Sequence, residues 1–161
     1  MKVLKFGGTS VGSLDSIRQI QHIIGQQTDD CIVVVSALGG ITDQLLKAAH
    51  LALEAGEEYM EVYQAIRCRH MDMVNTLITN PTTRQMLCLE LESILDELRS
   101  ILFGVHLVKD LSNKTEAAIV SYGERMSSRI VTAALPGTVR KNSLQFIRTE
   151  HKQGQILLNT E

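Results

Sequence analysis

A chain of 161 residues has room for one domain with a self-sufficient core, and a 44% hydrophobic share is ordinary for a globular protein. With 16 Lys and Arg against 18 Asp and Glu, no Trp and 4% aromatic residues, the chain has neither a basic stripe for nucleic acid or an anionic membrane nor a base-stacking platform. Cys31, Cys68 and Cys88 are far apart and form no C-x-x-C pair, so each is expected as a buried or half-buried thiol in a reducing compartment; no apolar leader or membrane-length run is seen, and the expected location is the cytoplasm.

Residues 2–6 (KVLKF) predict a short strand that ends in a tight turn at Gly7-Gly8. Ser13 is a candidate helix cap, and Ile17, Ile20, Ile23 and Ile24 recur at helical spacing up to Gly25. The run CIVVVSA at 31–37 is β-branched without alternation, which predicts a strand buried on both faces, as in a parallel sheet. Strand, helix and strand at this spacing make a βαβ unit. Gly39-Gly40 breaks the second strand, and Thr42 or Asp43 is expected to cap a helix with the stripe Leu45, Leu46, Ala49 and Leu53, ending at Gly56.

Residues 57–79 and 82–103 then predict two long amphipathic helices around Asn80-Pro81, with Gly104 at the stop. This αα-hairpin is expected as an insertion packed beside the sheet. Ser112 or Asn113 starts a further helix through SYGERMSSRIVTAAL, ended by Pro136-Gly137. Residues 144–149 and 155–160 predict two short strands split by a turn at Lys152-Gln153-Gly154.

Three stretches point to chemistry. Lys5 lies at the end of an apolar strand and opens KFGGTSVG, which combines a positive point charge, bare backbone N–H groups and the N-terminus of the helix after Ser13. These are the parts of a phosphate site at the end of a strand, where open α/β sheets bind ligands. The stretch is not a P-loop, because Ser13-Leu14 follow Gly12 where Lys and Ser/Thr belong, and a plain glycine turn beside a surface lysine stays open. SALGGITD repeats the theme after the second strand, with Ser36, Gly39-Gly40 and Thr42; a plain βα loop is the competing reading. In SYGER, Gly123 costs roughly 1 kcal/mol against alanine inside a helix. It permits a close approach of a ligand or a strand beside Glu124; a helix-packing glycine next to an exposed Glu–Arg pair is the alternative. His22, His50, His70, His106 and His151 show no metal spacing, and most are expected at solvated helix positions. Met60, Met71, Met73 and Met86 are expected as core filler.

Together, KFGGTSVG at 5–12, VVSALGGITDQL at 34–45 and SYGERMSS at 121–128 resemble the amino-acid kinase superfamily, and within it the aspartokinases. The hairpin at 57–103 and FIRT at 146–149 follow in the same order, and the likeness spans essentially the whole chain. The long hairpin with ILFGVHLV resembles the form fused to homoserine dehydrogenase. The resemblance implies an α/β fold, a three-layer sandwich with a mainly parallel sheet, incomplete here and carrying the inserted helical hairpin. Residues 1–161 are then expected as the N-terminal, substrate-side part of a kinase domain.

The resemblance also implies a reaction, in which ATP phosphorylates the β-carboxylate of L-aspartate to 4-phospho-aspartate, the first step toward lysine, threonine and methionine. Lys5 would be catalytic, neutralising the phosphates in transfer. Gly7, Gly8 and Thr9 would line the phosphate loop, with Ser36, Ala37 and Thr42 at the join between γ-phosphate and aspartate. Glu124 would bind the aspartate ammonium, and Mg2+ would arrive with the nucleotide. A homo-oligomer is implied for the full-length protein, with no nucleic-acid or membrane partner. The family's Arg-Gly-Gly-Ser-Asp stretch is absent, so this piece alone is expected to show little or no kinase activity. A sibling kinase acting on glutamate, acetylglutamate or carbamate, a non-catalytic binding or assembly module, and a helical interaction protein built on 57–103 are the alternatives.

Overall fold

The computed structural model describes residues 1–54 and 56–142, and the backbone of 148–152 and 155–159. The elements run β1 (Lys2–Phe6), α1 (Leu14–Gly25), β2 (Cys31–Val35), α2 (Ile41–Leu51), α3 (Glu58–Leu77), α4 (Pro81–Val108), α5 (Asn113–Ala134), β3 (Arg148–Lys152) and β4 (Gln155–Asn159). Strands β1 and β2 pair in parallel, with Lys5 opposite Val34 and Phe6 opposite Val35. Strands β3 and β4 pair antiparallel in a separate two-stranded sheet. The fold is α/β. The expected strand at 144–149 is described only from Arg148, where it continues to Lys152; residues 144–147 and Gln153-Gly154 lie outside the described residues.

The parallel pairing of β1 and β2 is as expected, but their burial is one-sided. Leu4, Phe6, Cys31, Val33 and Val35 are half-buried, while Val3, Lys5, Ile32 and Val34 face outward. Ile32 is 48% and Val34 43% exposed. The unbroken β-branched run implied cover on both faces; among the described residues only one face has it, and α5 lies against β2.

The helices bury the bulk of the core. Helix α2 packs on α3 and α5, and α4 packs on α5 and α3. Ile17 and Ile20 of α1, Leu45 of α2, Ile66 of α3, Leu95 of α4 and Ile130 of α5 are fully enclosed. Each helix presents its apolar stripe inward, which is what the i, i+3, i+4 spacing demands. Asn80 caps α4, accepting from the Thr83 N–H at 3.0 Å, and Pro81 occupies the first turn as expected.

Three boundaries differ from the sequence reading. Helix α4 passes through Gly104 and stops five residues later at Lys109, which takes φ 54° and returns its N–H to the Val105 carbonyl. Burial of Leu102 and Val105 on either side outweighs the modest cost of one helical glycine. Helix α2 begins at Ile41 with Gly40 as its N-cap, ahead of Thr42 and Asp43, and ends at Leu51. Gly40 takes φ 78°, a conformation that glycine adopts without strain.

His70 and Met86 also correct expectations. His70 is fully buried, with Nδ1 2.7 Å from the Ile66 carbonyl, whereas Met86 is 62% exposed. Cys31 and Cys88 are half-buried, but Cys68 is exposed on α3. No described helix is long and apolar enough to cross a membrane.

Candidate active site

Parallel pairing puts the C-terminal ends of β1 and β2 side by side, so the loops that follow them, 7–12 and 36–40, meet. The Ser36 N–H donates to the Phe6 carbonyl at 3.1 Å and extends the pairing to the mouth of the crevice. The loops then touch backbone to backbone. A Cβ on Gly12 would stand 3.0 Å from the Gly8 carbonyl oxygen, one on Gly39 would stand 3.1 Å from the same oxygen, and one on Gly8 would stand 3.3 Å from the Ala37 carbonyl oxygen. Gly8, Gly12 and Gly39 are therefore glycines because the two loops pack on each other. A Cβ on Gly7 would meet nothing within 4 Å.

Helix α5 enters the same place. A Cβ on Gly123 would stand 2.6 Å from the Ala37 Cβ, which no real packing tolerates, so glycine is required for α5 to come this close. The contact delivers the next residue. Glu124 Oε1 accepts the Ala37 N–H at 3.3 Å, and Ser127 Oγ, fully buried, donates to the Ser36 carbonyl at 2.7 Å. Gly123 is thus a packing glycine, and that packing sets Glu124 at the end of β2. The neighbouring Arg125 pairs with Glu97 of α4 at 2.7 Å, and not with Glu124.

Lys5 is exposed at the end of β1 and makes no hydrogen bond or ion pair with any described residue. Thr9 is exposed in the first loop; Ser36 and Thr42 are half-buried, and Ala37 is buried. The loop is closed by its own backbone, with the Ser10 and Val11 N–H groups donating to the Gly7 carbonyl at 2.9 and 3.2 Å. The structure brings Gly8 and Gly12 of the first loop against Ala37 and Gly39 of the second and adds Glu124 from α5, with Lys5 exposed on the neighbouring β1 opposite Val34.

Of the two helix N-termini at the crevice, that of α1 is as expected and that of α2 is not. Ser13 caps α1, its Oγ accepting the Ser16 N–H at 3.2 Å. Helix α2 starts at Gly40 with no side-chain cap, so its terminus is the one left open toward the crevice loops.

Sequence reasoning missed Arg69. It lies on α3 and donates from Nη2 to the Gly12 carbonyl at 3.4 Å, and Nη1 is 3.8 Å from where a Cβ on Gly40 would stand. A charged residue on an amphipathic helix has no local signal that separates a solvated face from a reach into a loop. Among the described residues, no group of three or more His, Cys, Asp or Glu side chains is placed to hold a metal ion.

The family model of the amino acid kinase family matches residues 1–158, and the chain belongs to that family. Its relatives are aspartokinases. It is 32% identical over 137 residues to the chloroplastic aspartokinase 2 of Arabidopsis thaliana, covering 83% of this chain and 24% of that protein. It is 30% identical over 141 residues to the bifunctional aspartokinase/homoserine dehydrogenase of Buchnera aphidicola, covering 84% of this chain and 17% of that protein. In structure it resembles E. coli aspartokinase III in complex with lysine and aspartate, with a TM-score of 0.71 and 28% identity over 83% of this chain and 28% of that one. The same enzyme in complex with aspartate and ADP superposes over 99% of this chain and 35% of that one, with a TM-score of 0.83 at 24% identity, a likeness of fold. The chain spans about a quarter of the length of the curated aspartokinase that it matches at 32% identity.

Proposed function

We propose that this chain supplies the phosphate-loop and ammonium-binding part of an aspartate kinase site. In the reaction ATP transfers its γ-phosphate to the β-carboxylate of L-aspartate, giving ADP and 4-phospho-aspartate. The observation that carries the proposal is the hydrogen bond from Ala37 N–H to Glu124, made where the two glycine loops meet, next to the strand whose Lys5 pairs with no described residue.

Phosphoryl transfer asks a protein for position and charge neutralisation more than for covalent chemistry. Lys5 brings a point charge on a flexible stem that is not spent on any described carboxylate. Gly7 leaves open space for a phosphate to approach the backbone, with Gly8 and Thr9 continuing that loop. Ser36, Ala37 and Thr42 stand at the join between phosphate and acceptor. Binding one Glu124 oxygen to the Ala37 N–H fixes the carboxylate and leaves the other for a substrate ammonium. Magnesium arriving with the nucleotide, a cytoplasmic setting and a homo-oligomeric whole protein belong to the same proposal.

Calorimetric titration with MgADP and with L-aspartate, L-glutamate and N-acetylglutamate tests this reading. Saturable binding of MgADP and of aspartate in preference to the two glutamates is expected. Equal binding of glutamate would shift the assignment to a sibling kinase, and no binding of either nucleotide or amino acid would overturn it. Turnover by the 161-residue chain is expected to be negligible, because no Arg-Gly-Gly-Ser-Asp stretch is present to complete the aspartate site; robust formation of a hydroxylamine-trappable acyl phosphate would contradict that part.

A further inference from the structure

We propose that Arg69 is a positioning residue for this site, a guanidinium strap by which the helical hairpin holds the two glycine loops at a fixed separation. The inference rests on the proposed function for what the loops bind, but its structural half stands alone.

Arg69 bonds to the first loop and stands next to the second. Its Nη2 donates to the carbonyl of Gly12, at the end of the first loop, and its Nη1 lies beside Gly40, the residue that opens α2 after the second loop. Neither loop can make this bridge itself, since both contact positions are glycine. A planar fork on a long stem can reach two points at once; an ammonium offers only one.

Two comparisons set Arg69 apart from an ordinary helix-surface arginine. Arg67, two residues earlier on α3, pairs with Glu92 of α4 through both Nε and Nη2. Arg69 is half-buried as well, yet no described carboxylate pairs with it, although Asp72 lines the same shallow cavity as Arg69, Ser13 and Cys68. Partial burial of a charge without a counter-ion is unfavourable unless hydrogen bonds or a nearby charge offset it. Here the offset comes from backbone oxygen of the glycine loop.

The loops also meet through small groups around Gly8, Gly12 and Gly39, and the Ser36 N–H bonds the Phe6 carbonyl at their base. Such packing resists compression but does little to stop the loops from parting. The strap opposes parting, and it links the hairpin to the crevice that the hairpin does not itself line. Displacement of about 1 Å between groups that must act together is enough to reduce a phosphoryl-transfer site sharply.

Amide hydrogen exchange and MgADP titration on the wild-type chain, Arg69→Met and Arg69→Lys test the strap. Arg69→Met is expected to speed exchange in residues 7–12 and 38–41 by about tenfold or more, to weaken MgADP by about tenfold, and to leave the buried amides of α4 unchanged. Arg69→Lys, which keeps charge and length but not the fork, is expected to fall between the two and guards against a Met variant that folds poorly. Unchanged exchange in both loops overturns the proposal, as do loosened loops with unaltered MgADP affinity. A wild-type chain that fails to bind MgADP defeats the proposed function instead, and the exchange rates alone then decide whether Arg69 ties the loops.

Discussion

The crevice at the ends of β1 and β2 and the seam between α4 and α5 treat charge in opposite ways. Along the seam, Arg125 meets Glu97 at 2.7 Å and stacks over Tyr122 at 4.2 Å, while Arg129 faces Glu90 at 3.4 Å. Arg125 holds the Glu97 carboxyl below its ordinary range, as expected of a satisfied pair. Deeper in the helical layer, burial pushes the neutral His70 down to about 4 rather than letting it carry charge. At the crevice, Lys5 has no described partner and Arg69 answers only to a carbonyl. Charge that is compensated serves the fold; under the proposed function Lys5 is kept for a ligand and Arg69 for the loops.

The sharpest way to break this comparison is Lys5→Met. If Lys5 is uncompensated for a ligand, its loss should weaken MgADP by about a hundredfold and leave the thermal midpoint unchanged, since it removes a charge-assisted contact and no internal one. A large drop in stability with unchanged affinity would make Lys5 structural.

His70 gives the next largest effect. The unfolded histidine takes up its proton near pH 6.5, and the folded one only near 4. The neutral burial therefore stabilises fully above pH 6.5 and is lost as pH falls toward 4, with a total of about 3 kcal/mol. Urea denaturation across that window should show the slope, and His70→Leu should flatten it.

Gly123→Ala sharpens the account of how the crevice is built. A methyl 2.6 Å from the Ala37 Cβ forces α5 away from β2, at about 2 kcal/mol of stability, and carries Glu124 away from the Ala37 N–H. Calorimetry and aspartate titration should move together. Glu97→Gln, on the compensated seam, should cost under about 1 kcal/mol and leave ligand affinity alone, because the pair is half-open to solvent. Gly7→Ala is expected to leave stability within about 0.5 kcal/mol, since its Cβ would meet nothing, while still reducing nucleotide affinity.

Much of this was legible from local signals. The β1–α1–β2 unit follows from apolar spacing punctuated by glycine, and α4 from the Asn80-Pro81 start. What escaped was set by partners distant in sequence. Gly104 looked like a stop because its cost is local, whereas burial of Val105, which keeps the helix going, depends on packing with other elements. Thr42 looked like a cap because its side chain can serve, but the left-handed turn at Gly40 starts the helix sooner. The run of β-branched residues in β2 could not show that one face lacks cover among the described residues. Of the candidate site, the turn after Lys5 and the helical glycine beside Glu124 are local signals that leave a plain turn and a packing glycine open, and the resemblance of KFGGTSVG and SYGERMSS to the aspartokinases is what singles out Lys5, Gly7, Gly8 and Glu124. Arg69 is not singled out, because nothing in CRHMD distinguishes a strap from a solvated charge. Gly8, Gly12 and Gly39 make room for each other, a contact between loops distant in sequence that neither motif shows by itself.

The most direct test is a backbone NMR titration of the chain with MgADP and then L-aspartate, read residue by residue. The account predicts nucleotide-induced shifts at residues 5–9 and 36–42 and aspartate-induced shifts at Ala37 and Glu124, with the Glu97–Arg125 seam silent and the aspartate response abolished by Glu124→Gln. Shifts confined to the α4–α5 seam, or an aspartate response that survives Glu124→Gln, would contradict it.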